Sequence, residues 1–463
     1  MAARSSLDVS PPIVRGMDKL DRSVFRRTVP LLAAEVPPAK TAEILRSSVL
    51  KKAVLNLPKV KSVVPNSADP NGPKLLLLRV QQEAELPPDV KEFLTSHDAH
   101  LLDYSLELGY DYWTADEIIH AILPEELVDG APSGFAAVGH LAHVNLNDEY
   151  LPYKHLLGEI FLDKNKSIRT VVNKLNSIDT KFRFFKMELI AGEPDFVVHH
   201  SELDCRFTFD FTQVYWNSRL SAEHERLVNQ FRREDVVADV FAGVGPFALP
   251  AGKKGCGVFA NDLNPNSYKY LQVNIKDNKV ADVVRPFCED GRDFIRRIVW
   301  DAAANPLPAY APRLSRSEER ALKKQKTESS TDAAPVAATE SGRAHPAERR
   351  RIAHFVMNLP DSAITFLDAF RGLLVSSEDP TRSITDIYDE MPMVHCHCFT
   401  REMEREGAER DIRQRVHDQL GRALRDEDEV SLHLVRSVAP NKDMYCISFR
   451  LPRDVALESS HLT

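Results

Sequence analysis

Short apolar runs, several of them closed by Asp, Asn, Gly or Pro, recur along the chain after about residue 201. Those at 236–241, 257–262, 283–288, 353–358, 394–399, 430–435 and 444–450 read as strands, and most are followed by a segment with helical spacing. Such alternation predicts an α/β domain whose parallel sheet is covered by helices on both faces. The last two strands have no clear helix between them, which predicts a closing hairpin and one antiparallel strand at the end of the sheet. Residues 17–123 mix helical and strand patterns, including the strand-like 74–80, and predict a small α/β unit; 124–200 predict a second. Residues 302–350 have no periodicity, are rich in Ala, Pro, Ser, Thr and Glu, and carry Lys323-Lys324-Gln325-Lys326, so they read as a disordered insertion. The expected domains are therefore 1–123, 124–200 and 201–463.

Charge narrows the partners. The 463 residues carry a formal net charge of −8, which excludes a protein that holds nucleic acid by bulk charge alone. Within 151–190, however, Lys154, Lys164, Lys166, Arg169, Lys174, Lys181, Arg183 and Lys186 face only Glu159, Asp163, Asp179 and Glu188, a local surplus of +4. Taken alone, that cluster reads as a solvated face. No apolar run reaches the about 18 residues that a membrane-spanning helix needs. The 6 cysteines are few for this length and read as reduced core thiols. His395-Cys396-His397-Cys398 holds metal-ligand side chains, but period two puts the histidines on one strand face and the cysteines on the other. With no second cluster to complete a site, a strand and no metal are expected. Residues 1–27 are basic, without the apolar stretch of a secretory signal, and read equally as a mitochondrial presequence or an ordinary mobile terminus; Met17 offers a second start.

The densest chemistry is Asp239-Val240-Phe241-Ala242-Gly243-Val244-Gly245-Pro246-Phe247-Ala248, where a strand gives way to a helix. Gly243 and Gly245 allow a tight turn and close approach to a ligand. Ala248 replaces the third glycine of a dinucleotide fingerprint, and Pro246 stands at the expected helix start, removing an amide that a pyrophosphate would use. Asp262, at the tip of the next strand, is placed to accept from ribose hydroxyls, and Asp290, before Gly291 at the tip of the third, to bond an adenine amino group. The fourth strand ends in Asn358-Leu359-Pro360, a side-chain amide on a stiff turn. Ordered stations at successive strand ends predict a nucleoside-cofactor site. Upstream, Tyr215, Arg219 and Glu223 recur every four residues and share a face if the segment is helical from Tyr215; Arg219 and Glu223 also fit an i,i+4 ion pair.

These residues, together with Gly139-His140-Leu141-Ala142-His143, Gly158-Glu159, Asp163-Lys164-Asn165, Phe182-Arg183, Glu188 to Glu193, and Val438 to Cys446, resemble the archaeal and eukaryotic tRNA (guanine-37 N1)-methyltransferase family from about residue 17 onward. The resemblance implies a Rossmann-like class I methyltransferase sheet behind two smaller α/β domains, with S-adenosylmethionine as donor and guanosine 37 of tRNA as acceptor. It implies Glu223 as general base, Arg183 as the O6 stabiliser and Asn358 as holder of the flipped base. Tyr215 and Arg219 would position substrate. His224, Asp262, Leu263, Asp290, Gly291 and Asn358 would contact the cofactor, with Asp239 near its methionine moiety. The basic stretch with Lys164 and Lys166 would join the tRNA surface. A monomer in cytoplasm, nucleus and mitochondrial matrix is expected. Three other readings stay open: transfer of an aminocarboxypropyl group by the related wybutosine enzymes, a Rossmann oxidoreductase using NAD, which Pro246 and Ala248 disfavour, and a non-catalytic tRNA-binding module.

Overall fold

The computed structural model describes residues 7–66, 72–178, 185–310, 349–375 and 383–458. Arg183 and the Lys323-Lys324-Gln325-Lys326 tetrad lie outside the described residues. The chain divides into two units, residues 1–175 with 187–195, and residues 176–186 with 196–463.

In the first unit an antiparallel sheet has the order β2-β3-β1-β4, from β1 (Arg26–Val36), β2 (Val63–Pro65), β3 (Lys74–Leu77) and β4 (His100–Gly109). Alternation along β1 explains why both faces are covered. Leu32, Ala34 and Val36 join a core with Ile44 of α1 (Thr41–Arg46) and Val90 and Leu94 of α2 (Pro88–Ser96). Val29, Leu31 and Ala33 face the other way, into a core with Ile118 and Ile122 of α3 (Ala115–Ile122) and Leu157 and Ile160 of α4 (Lys154–Lys164). A capping box, Thr114 with Glu117, starts α3. That second core also takes in Ala142 and Val144 of β6 (Leu141–Val144), which pairs with β5 (Ala136–Val138) and runs parallel to β7 (Thr170–Ile178), next to β8 (Phe185–Gly192). The expected boundary at 123/124 thus runs through one continuous core. Residues 7–17 also belong to this unit: the buried Trp113 indole donates to the Val9 carbonyl at 2.7 Å, and the Val14 amide to Ala121 at 2.9 Å. They are folded onto the unit, unlike the mobile terminus that was one of the two expectations.

The second unit opens with the hairpin β9 (Val197–Glu202) and β10 (Cys205–Asp210), then α5 (Ser221–Gln230). A seven-stranded sheet follows, built from β11 (Val236–Asp239), β12 (Gly257–Asn261), β13 (Val284–Phe287), β14 (His354–Met357), β15 (Met393–Thr400), β16 (Ser431–Ala439) and β17 (Lys442–Arg450). The order is β13-β12-β11-β14-β15-β17-β16. Pairings from β13 through β15 are parallel, and β17 is antiparallel to both neighbours. The single antiparallel strand was expected at the edge; it lies one place in, and β16 occupies the edge. One face packs on α8 (Gly291–Ala304), the 3-10 segment Ala363–Phe370 and α9 (Arg405–Leu420) through Phe294, Ile298, Leu367, Phe370, Ile412 and Val416. α6 (Ala248–Lys254) and α7 (Pro265–Asp277) complete the turns after β11 and β12. The expected insertion begins too early at 302, since Ala302 and Leu307 are core residues and Leu307 bridges to the buried Arg349.

Candidate active site

The carboxyl ends of β11, β12 and β13 are tied together by Asn261, which is buried. Its side-chain amide donates to the carbonyls of Val240 and Glu289 at 3.2 and 3.1 Å, and its oxygen accepts from the Glu289 amide at 2.9 Å. Sequence reasoning passed over this residue; an Asn directly before Asp262 was its only trace. The strand ends thus converge on Asp239, the Gly243-Gly245 loop, Asp262 and Asp290. Asp239 is fully buried, and among the described residues no side chain donates to its carboxylate, which the Phe241 amide faces. Burial, then the nearby Asp262 charge, push its carboxyl up to about 8. Asp262 accepts the Gly243 amide at 2.8 Å and the Asn264 amide at 2.8 Å. Burial raises its carboxyl to about 6 against those amides. One oxygen is engaged by each donor, which leaves lone pairs for hydroxyl groups.

The two loop glycines differ. Gly243, at φ +55°, has open space where a Cβ would project, so its backbone is free to meet a ligand. Gly245, at φ +101°, is pressed against Leu249 and Leu271, and its requirement is conformational and steric. α6 begins at Ala248, two residues later than the expected start at Pro246, because Pro246 belongs to the turn. Asp290 caps α8 through the Arg292 amide at 2.8 Å, and Gly291 leaves room for the rings of Phe241 and Phe366. Leu263 is 40% exposed, an apolar wall beside Asp262. His224 is buried, hydrogen-bonded to Glu202 at 2.6 Å, with its ring edge on Phe247 of the glycine loop at 4.7 Å. Its contact is thus with the loop's aromatic prop.

Glu223 sits in the first turn of α5 and is 4% exposed. Arg226 grips both oxygens, at 2.6 and 2.7 Å, and His397 of β15 reaches Oε1 through Nε2 at 2.7 Å. Burial favours the neutral acid, but hydrogen bonds from Arg226 and then His397 outweigh it and hold the carboxyl down at about 2. The i,i+4 pair with Arg219 is replaced by this i,i+3 pair with Arg226. Helical structure starts at Ser218 as a 3-10 turn, so Tyr215 precedes it; Tyr215 and Arg219 are both exposed. His395-Cys396-His397-Cys398 forms β15 with the alternation expected, yet Glu223, His397 and Cys446 bring one ligand atom each within 4.8 Å of one another. These three could hold a metal only by displacing Arg226 from Glu223.

Asn358 follows β14, and its buried Oδ1 has no partner among the described residues. Phe399 donates its amide to the Pro360 carbonyl at 3.0 Å, which fixes the turn. In the first unit, Lys166 is exposed, as a nucleic-acid surface requires. Lys164 is not: its ammonium bonds the Tyr110 carbonyl and lies 3.7 Å from the Tyr110 ring centroid. Burial, then repulsion from Lys59, lower it to about 8. In the free chain its ammonium is therefore held by Tyr110. Two other cations of the stretch are paired as well, Lys154 with Glu188 at 2.6 Å and Arg169 with Asp195 at 2.8 Å.

A family model described as the TRM5/TYW2 methyltransferase domain matches residues 198–323, and one described as the TYW2 N-terminal domain matches 115–195. In fold, the chain is similar to Trm5b from Pyrococcus abyssi, with a TM-score of 0.55 and 21% identity over 91% of this chain and 99% of that one. It is likewise similar to aTrm5 in its complex with tRNALeu, with a TM-score of 0.58 and 20% identity over 91% and 100%. In sequence it is 44% identical to the tRNA (guanine(37)-N(1))-methyltransferase of Schizosaccharomyces pombe over 95% of both chains. The enzyme of that name from Coprinopsis cinerea is 57% identical over 97% of both. Near-complete coverage at that identity, on a sheet whose strand ends carry the expected stations, means that this chain belongs to the tRNA (guanine(37)-N(1))-methyltransferase family.

Proposed function

We infer that the chain transfers a methyl group from S-adenosylmethionine to N1 of guanosine 37 in tRNA. The observation that carries the reading is the coexistence of acceptors at the ends of β11 to β13 with a buried Glu223 held by Arg226 and His397, where Phe247 of the glycine loop has its ring centroid 4.7 Å from that of His224 and 5.9 Å from that of His397. The residues fit the donor. Asp239, buried at the strand end, would take the cationic amino group and ionise against it, Asp262 would accept from ribose hydroxyls, and Leu263, Asp290 and Gly291 would flank the planar base. When bound, S-adenosylmethionine supplies the methyl group from its sulfonium.

The chain's own residues handle the acceptor. Neutral guanine carries a hydrogen on N1 and has no in-plane lone pair there, so a base must remove that proton as the new bond forms. Glu223 is ionised, as a base must be. A carboxyl held at about 2 is a weak base, so the incoming N1–H takes over one of its present hydrogen bonds. Arg226, only partly buried, is the displaceable donor. Arg183 would meet the charge that builds on O6, and the unpaired Oδ1 of Asn358 would accept from the flipped base. Tyr215 and Arg219, both exposed, suit positioning of the nucleotide, and exposed Lys166 the tRNA backbone. The protein acts as a monomer and works in cytoplasm, nucleus and mitochondrial matrix.

The family model that joins the methyltransferases to TYW2, and the match of 115–195 to the TYW2 N-terminal domain, favour a second reading, aminocarboxypropyl transfer. Mass spectrometry of nucleosides after incubation with a tRNA transcript and S-adenosylmethionine separates the two. 1-Methylguanosine, lost when guanosine 37 is replaced by adenosine, is expected. A product heavier by an aminocarboxypropyl group, or no modified guanosine, would overturn the reading.

A further inference from the structure

Glu223 has two sets of donors that differ in how firmly they are held. Arg226 lies one turn along the same helix with its side chain 25% exposed, whereas His397 stands on a central strand with its side chain 0% exposed. Phe247 covers His397 at 5.9 Å, and β15 is bonded on one side to β14 and on the other to β17. His397 cannot swing away without disturbing the sheet. The charged and titratable groups facing Glu223 are Arg226 from its own helix and, from the sheet, His397, Cys446 opposite His397 and His433 with Nε2 at 3.7 Å from Oε2. Of the three hydrogen bonds to the carboxylate, the one from His397 Nε2 to Oε1 is thus the fixed one.

We propose that His397 is a positioning residue for the methyl-transfer step: it anchors Oε1 of Glu223 so that Oε2, released by Arg226, meets N1–H of the guanine. The proposal rests on the reading of Glu223 as the base. The proton passes from N1 to Oε2, leaving a neutral carboxylic acid still held through Oε1, and His397 neither gains nor loses a proton in the step. Loss of the anchor lets the carboxylate turn, and misplacement of a reacting group by about 1 Å costs on the order of 100-fold. It also removes a donor that keeps the carboxyl acidic, so the acid limb of turnover moves to higher pH.

The test compares two replacements of similar bulk in the full-length protein, His397→Gln, whose amide can still donate to Oε1, and His397→Met, which cannot. His397→Met should lower kcat by about 10–100-fold, with KM for tRNA and the Kd of S-adenosylmethionine nearly unchanged. Its kcat should also acquire an acid limb at higher pH than the wild type. His397→Gln should recover most of the rate and the wild-type limb. Glu223→Gln is run beside them. If it stays fully active, the base reading fails and this inference with it. If it is inactive while His397→Met keeps the wild-type kcat and pH profile, the inference alone is overturned. Should His397→Met not fold, the imidazole of His397 is followed by NMR in the wild type and in Glu223→Gln. A ring that loses its proton at higher pH with Glu223 intact than in Glu223→Gln supports the anchor, and an identical titration in both overturns it.

Discussion

At the scale of the residue, Asp239 is the side chain whose state in the free protein conflicts with stability. Burial, with Asp262 beside it, raises its folded carboxyl to about 8, while an unfolded aspartate titrates near 3.9. The folded chain therefore retains a proton that the unfolded chain has released, and stability is lost progressively as pH rises from about 4 toward 8. Asp239→Asn removes that titration. In thermal unfolding without ligand, the variant should gain on the wild type as pH is raised through this window, and the gain should be absent at pH 4. Affinity for S-adenosylmethionine should fall by about 10–100-fold, as expected for a lost charge-assisted hydrogen bond. A difference in melting temperature that is flat in pH would show that Asp239 is ionised in the free protein. Asp239, Asp262, Asp290 and Asn358 were legible because each closes an apolar strand, and parallel strands deliver their carboxyl ends to one edge. His397 was not legible. Its period-two pattern matches that of any core strand, and its partner Glu223 is 174 residues away. Arg226 was missed because spacing alone does not decide between i,i+3 and i,i+4 partners.

At the scale of the element, the loop from β11 to α6 shows how one motif serves two purposes. Gly243→Ala meets nothing within 4 Å and pays mainly for a left-handed backbone, about 1–2 kcal/mol. Gly245→Ala adds an overlap with Leu249 and Leu271, at 2.8 and 3.0 Å from the new Cβ, so about 1–3 kcal/mol more is expected. Denaturant unfolding should rank Gly245→Ala clearly below Gly243→Ala, and titration with S-adenosylmethionine should show Gly243→Ala weakened despite its milder effect on stability. The reverse ranking in stability would mean that the loop relaxes around Gly245. The motif was readable as a whole, but the division of labour was not, because both glycines satisfy the same pattern. Gly158 and Gly192 of the first unit belong to packing: a Cβ on Gly158 would press on Ile190 and Ala191, and one on Gly192 on the Arg169 carbonyl. Motifs that mark a family thus include close contacts between α4, β7 and β8 as well as chemistry.

At the scale of the whole molecule, the net charge of −8 coexists with a basic stretch in which Lys154 and Lys164 are committed to local partners. Charge counts located that stretch but could not show which lysines are free, since Lys164 and Lys166 differ only in what folds around them. Domain boundaries followed the same rule. The change near residue 200 was visible because strand and helix begin to alternate there, and one of the three breaks between the two units falls at 195/196. The break expected at 123/124 vanishes because Ile118 and Ile122 share a core with Leu157 and Ile160. The residues proposed to hold the cofactor, Asp239, Asp262, Asp290 and Asn358, all lie within 196–463. A ligand that binds only the folded form stabilises what it binds, by about 2.7 kcal/mol at 100 times its Kd. Scanning calorimetry should then resolve a transition that S-adenosylmethionine raises by about 5 °C or more and a second that it leaves in place. A single transition that moves as one would mean that the two units unfold as one cooperative block.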